Sequence, residues 1–206
     1  MPVATEQTVR RTAREIFRGV EKNARDELRR STQALAFSGL AGGLTMGLTG
    51  IAVAAAMVAL NGVPARNFIA YMLYPVGFIA VIIGRAQLFT ENTLYPVALV
   101  LSEKRHVGET ARLWTVVFVG NVLGAIAFAG LAVGSDALNP DIHAALVELG
   151  KQAAQGTASH IFWSGVIGGW IIALVAWLVT ASHWTRDGVG LERTSRLRAS
   201  VSCAKS

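Results

Sequence analysis

Arg85, Gln87, Glu91 and Asn92 fall within one short stretch, 84–93, set inside an otherwise apolar run from 68 to 101. The guanidinium of Arg85 stays charged at any physiological pH. A cation at membrane depth costs at least ~2.5 kcal/mol on insertion scales unless it snorkels or is paired. Arg85 is therefore expected to meet Glu91, loop carbonyls or a permeating anion, so the chemistry in view is binding and passage rather than bond making. Asn121 is the only strongly polar side chain deep in a second apolar run, 113–133. A buried amide must find partners, so Asn121 either bonds a neighbouring helix or supports the polar stretch. Enzyme chemistry finds no footing. His106, His143, His160 and His183 have no metal-ligand spacing, no nucleophile elbow is present, and no glycine-rich phosphate loop follows a strand. No cofactor or metal is expected.

The run that carries the polar cluster is too long for one ordinary span, because a hydrocarbon core of ~30 Å takes ~20 helical residues. One reading is a broken helix, with segments 68–83 and 94–101 entering from opposite sides and joined by non-helical backbone at membrane depth. Such backbone survives only where protein buries it or where it lines an aqueous path. The other reading, one span plus one interfacial segment, fits the periodicity equally well.

Hydrophobic residues make up 52% of the 206 positions, charged residues only 16%, and 21 are glycine; this is a membrane composition. The net charge of +6 does not point to nucleic acid, because most basic residues flank apolar runs, where they set orientation. One cysteine, Cys203, allows no internal disulfide. Residues 1–34 form a cytoplasmic amphipathic segment: Val9, Ala13, Ile16, Val20, Ala24 and Leu28 recur on one helical face among eight basic residues. Spans are expected at about 35–60, 68–101 (broken), 113–133 and 161–181, within a transmembrane domain 35–184. A polar tail, 185–206, is expected to be disordered.

Gly39, Gly43 and Gly47 recur every four residues in the first span, a spacing that lets another backbone approach closely. Trp163, Trp170, Trp177 and Trp184 recur every seven in the last, a stripe expected to face lipid or a partner subunit. Basic residues concentrate before the first span, between 104 and 112, and after the fourth. The positive-inside rule then places both termini in the cytoplasm of a multi-pass inner (plasma) membrane protein.

Leu88-Phe89-Thr90 followed by Glu91-Asn92, then Gly120-Asn121-x-x-Gly124, then the stretch from Trp170 to Trp177 resemble the formate/nitrite transporter family. The resemblance implies an all-α integral membrane protein with an aquaporin-like helical bundle of two inverted halves. It also implies a homo-oligomer, usually a pentamer, passing small monovalent anions across the lipid bilayer. Leu88, Phe89 and Thr90 would line the pore, with Arg85, Glu91, Asn92 and Asn121 along or beside the path. Several places depart from the family pattern. Arg85 and Gln87 stand where a small residue and an acid are usual, Gly169 stands where an Asn is usual, and Lys151 matches the third-loop Lys only loosely. A second broken helix bearing a His is not found, and His183 does not replace it. The bundle is therefore expected to be incomplete, with one broken re-entrant helix, and the chain alone is expected not to form a selective pore. The alternative is a four-span membrane protein with a structural or regulatory role.

Overall fold

The protein is described by a computed structural model that covers the backbone of residues 12–203 and the side chains of residues 12–181. Among the described residues every regular element is helical. Helix α1, Ala13–Leu28, is opened by a reciprocal cap in which Glu15 N–H donates to Thr12 Oγ1 and Thr12 N–H donates to Glu15. Two such bonds satisfy donors that a helix start leaves orphaned. Helix α2, Thr32–Ala59, follows after a two-residue turn closed by Ser31, whose Oγ accepts from Ala34 N–H at 3.2 Å.

The long apolar run is divided. Helix α3, Arg66–Tyr71, gives way to α4, Pro75–Gly84, with Pro75 in the first turn, where its missing N–H is no loss. Beyond Gly84 the helix stops: Arg85 adopts the left-handed conformation, φ 52°, and Ala86 N–H closes the end on Val81 O at 3.1 Å. A left-handed non-glycine residue costs on the order of 1 kcal/mol, so the surrounding contacts must hold it. A single 3-10 turn, Glu91–Thr93, leads into α5, Leu94–Glu103. The helix is interrupted at this position, as both sequence readings require.

Helix α6, Val107–Gly134, runs against α2 along its length. Their glycines make the contact possible: a Cβ on Gly43 would overlap the carbonyl of Asn121, and one on Gly124 would overlap the carbonyl of Leu40. Backbone meets backbone there, as small-residue packing in membranes requires. Helix α7, Pro140–Ala154, lies over the far end of α2, where Val53, Met57 and Ala70 form a small cluster that Leu149 joins. Helix α8, Ala158–Cys203, continues past the apolar run as helical backbone. The backbone of the tail, expected to be disordered, is helical as far as Cys203, in keeping with helix formers such as Leu191, Glu192, Arg193 and Leu197.

Among the described residues four stretches are long and apolar enough to cross a membrane: Thr32–Ala59, Arg66–Gly84, Val107–Gly134 and Ala158–Ala181. The main core lies at one end of the bundle, where Val20, Ala24 and Leu28 of α1 meet Leu35, Leu99, Leu113, Val117 and Ala176. The amphipathic face of α1 is therefore buried in the bundle rather than spread along lipid. Trp163 and Trp170 point outward, whereas Trp177 packs partly against this core, so the tryptophan stripe does not face one way; the side chain of Trp184 lies outside the described residues.

Candidate functional site

Six residues of non-helical or barely helical backbone, 85–90, must be satisfied inside a bundle of apolar helices. The side chain of Asn121, from the middle of α6, does most of this. Its Nδ2 donates to the carbonyls of Gly39 and Gln87, both at 2.8 Å, and its Oδ1 accepts from Phe89 N–H at 2.8 Å. All the hydrogen-bonding capacity of one amide but a lone pair is used, and it joins α2, the loop and α6. Gln87 N–H adds a bond to Ser38 O at 3.2 Å. Gly42 admits the loop to this depth, because a Cβ there would overlap the carbonyl of Gln87.

Below this clamp the loop is stitched to itself. Asn92, 3% exposed, donates from Nδ2 to Gln87 Oε1 and to Leu88 O, the latter at 3.1 Å. Its own carbonyl accepts from Trp114 Nε1 at 3.1 Å. Phe89 presents its ring edgewise to Trp114 and Phe118, with centroids 6.0 and 5.4 Å away, an arrangement aromatic quadrupoles favour. Gln87 and Asn92, polar in a setting that would otherwise reject them, therefore serve each other and the loop backbone.

Leu88 and Glu91 face a cavity of about 300 Å³ between α4 and α8. Its walls are otherwise almost wholly apolar, with Ile79 and Ile82 on one side and Ile172 and Val175 on the other. Thr90 is exposed, and its carbonyl accepts from Thr93 Oγ1 at 2.7 Å. The structure thus gathers Leu88, Phe89, Asn92 and Asn121 at one place, with Glu91 on the cavity wall and Thr90 at the edge. Arg85 does not join them. Its side chain is exposed and forms no ion pair with Glu91 or any other described residue, because the left-handed turn at Arg85 sends it away from the clamp. Lys151 sits exposed on α7, open space surrounds Gly169, and the side chain of His183 lies outside the described residues.

Two supports were not singled out from sequence. Thr49 Oγ1 accepts from Gly77 N–H and donates to Tyr74 O, both at 3.0 Å, which pins the first turn of α4 to α2. A hydroxyl midway along an apolar run was the available signal. Tyr95 OH donates to Ala176 O at 3.3 Å and lies 3.4 Å from Thr180 Oγ1, tying α5 to α8.

At the α1 end the charges are paired. Glu103 receives Arg25 from α1, Arg105 Nε at 2.7 Å and His106 Nε2 at 3.2 Å. The hydrogen bond from Arg105 is the main reason its carboxyl is held below the ordinary carboxylate value, with the charge of Arg25 adding to it. Arg112 donates from Nη2 to Leu28 O at 2.8 Å and to Arg30 O at 3.1 Å, placing a cation on the carbonyls that end α1.

Among the described residues no group of three or more His, Cys, Asp or Glu side chains could hold a metal ion. What the site offers is a rigid interruption in a membrane helix, with an apolar side chain and a carboxyl turned to a cavity.

A profile of the formate/nitrite transporter family matches residues 14–188. Inner membrane protein YfdC of Escherichia coli (strain K12) is 36% identical over 169 residues, 81% of this chain and 54% of that protein. The uncharacterized transporter YwcJ of Bacillus subtilis (strain 168) is 33% identical over 92 residues, 44% of this chain and 36% of the relative. A probable formate transporter of Methanothermobacter thermautotrophicus is 30% identical over 126 residues, 53% of this chain and 46% of the relative. The chain spans about half the length, or less, of these relatives.

Proposed function

The chain belongs to the formate/nitrite transporter family, and from that premise we propose that it takes part in passing small monovalent anions, formate or nitrite in type, through the membrane. The observation that carries this reading is the broken helix α4–α5 with its loop fixed by Asn121. Broken helices held at membrane depth carry binding sites in transporters, because irregular backbone is retained there only where it is buried or lines a path. Leu88 and Glu91 lie on the path, Phe89 and Asn121 set the loop's shape, and Thr90 stands at its rim. Asn92 braces the loop from within. Arg85, exposed and without an ion pair among the described residues, is suited to drawing anions toward the entrance.

The distribution of basic residues supports an orientation with α1 and the loop before α6 at the cytoplasmic side of an inner membrane, and α7 outside. The apolar surface of α8 supports assembly with further copies, five by the family resemblance. Ile161, Phe162, Trp163, Trp170 and Leu178 are each more than half exposed, and lipid or a neighbouring subunit must cover them.

The test is uptake of labelled formate and of nitrite into liposomes containing the purified chain, measured against empty liposomes and against Asn121→Leu. Saturable uptake that Asn121→Leu abolishes supports the reading. Uptake no greater than that of empty liposomes, the outcome expected if the incomplete bundle forms no selective pore by itself, overturns it for this chain alone.

A further inference from the structure

Arg66 and Glu148 share one small cavity without meeting. The cavity, about 160 Å³, lies at the α7 end of the bundle and is lined by Arg66, Asn67 and Tyr71 of α3 and by Glu148 and Gln152 of α7. Neither charge forms an ion pair with any described residue. Arg66 Nη1 reaches only Asn61 Oδ1, at 3.4 Å, and its Nε is buried with no hydrogen-bond partner. A guanidinium carries five donors, so one long bond leaves nearly all of them unspent. Glu148 Oε1 accepts from Gln152 Nε2 at 3.2 Å. A second space of about 500 Å³ shares Tyr71, Leu149 and Gln152 with the first and continues between α2 and α7, past Met46, Val53 and Ala153.

Arg66 is also the first residue of the crossing stretch Arg66–Gly84, which sets the cavity where hydrocarbon gives way to headgroups. Tyr71 and Tyr74 beside it are of the type that gathers at that level. An anion alone would be drawn by Arg66 and repelled by Glu148, and a cation alone would meet the reverse. A ligand that carries both charges satisfies both walls, and an apolar body satisfies the space beyond. We propose that the cavity binds one phospholipid whose headgroup joins a phosphate to a primary ammonium, as phosphatidylethanolamine does. The phosphate takes charge-assisted hydrogen bonds from the Arg66 guanidinium, the ammonium donates to Glu148, and an acyl chain lies along Val53 and Ala153. The lipid thereby bridges α3 and α7, which otherwise meet at the small cluster of Val53, Met57 and Ala70 that Leu149 joins.

The experiment titrates the full chain, purified in detergent, with phosphatidylethanolamine, phosphatidylglycerol and phosphatidylcholine, and counts bound lipids by native mass spectrometry; circular dichroism checks that each variant is folded. Wild type should retain one phosphatidylethanolamine per chain, about tenfold more tightly than the other two. Phosphatidylglycerol has no ammonium, and the quaternary ammonium of phosphatidylcholine has no N–H to give Glu148. Glu148→Gln, at an exposed position, should erase the preference over phosphatidylglycerol, and Arg66→Gln should weaken binding of all three. Ala153→Phe, which fills the apolar space from an exposed position, should weaken binding without changing the headgroup preference. Glycerophosphoethanolamine, the same headgroup without chains, should not compete at equal concentration. Equal binding of the three lipids by wild type, or a preference unchanged in both Arg66→Gln and Glu148→Gln, overturns the proposal. Full competition by glycerophosphoethanolamine would make this a site for a soluble zwitterion, and a dimer that excludes lipid would make it an interface between copies; either result overturns the lipid assignment.

Discussion

The backbone N–H of Phe89 donates to Oδ1 of Asn121 at 2.8 Å, across 32 residues of sequence, and the same amide's Nδ2 holds the carbonyl of Gln87 two residues earlier. A donor and an acceptor of one broken backbone are thus met by one side chain of fixed orientation. Rotating or replacing that side chain releases both at once.

Asn121→Ala should therefore destabilise the protein by on the order of 1–3 kcal/mol for each buried group left without a partner. Asn121→Asp should not rescue it, because an ionised carboxylate accepts from Phe89 N–H but cannot donate to Gly39 O and Gln87 O. Thermal unfolding in detergent, followed by circular dichroism, reads the effect. Equal stability of Asn121→Asp and wild type would mean that the two donated bonds contribute nothing.

Gly43→Ala and Gly124→Ala should each cost about 1–3 kcal/mol, as overpacking does, since the added methyl meets a carbonyl of the facing helix rather than a movable side chain. Gly130→Ala, where nothing lies within 4 Å, should be neutral or stabilising. Comparing the three unfolding curves separates backbone packing from helix propensity.

A cysteine at Thr90 should react with small water-soluble thiol reagents, whereas one at Val81, which is fully buried, should not. Protection at Thr90 equal to that at Val81 would show that no aqueous space reaches the loop.

The junction of α1 with α5 should weaken in acid. Glu103 has a folded-state pKa below its ordinary 4.5, chiefly through the hydrogen bond from Arg105. Its stabilising contribution is then present above 4.5 and is lost as pH falls from there through the folded value. Hydrogen exchange of the α1 amides should speed up over that window in wild type. Glu103→Gln should show faster exchange at neutral pH and a flatter acid response.

Much of this architecture was legible because the bilayer leaves few choices. A run of apolar residues too long for one span, interrupted by Arg85, Gln87, Glu91 and Asn92, has to break or surface. A lone Asn121 in the next run has to serve something. Helix spacing likewise exposed the buried face of α1 at Val20, Ala24 and Leu28. The sequence could not say which polar residues of the cluster look inward. Gln87 and Asn92 turn in because they complete each other's hydrogen bonds, and Arg85 turns out because φ 52° at its own Cα redirects the chain. Nor could periodicity reveal that Thr49, far away in sequence, holds the first turn of α4, since a single hydroxyl leaves no repeat to detect.

The clamp also sets a timetable for biosynthesis. Gln87 and the Asn121 that holds its carbonyl are 34 residues apart, so the break leaves the ribosome before its fastener exists. At ~5–20 residues per second, roughly two to seven seconds pass in which only α2 is available to it, through Ser38 O. During that interval the nascent chain carries an unfinished polar seam, and a site where insertion can stall or quality control can act is created by the order of synthesis alone.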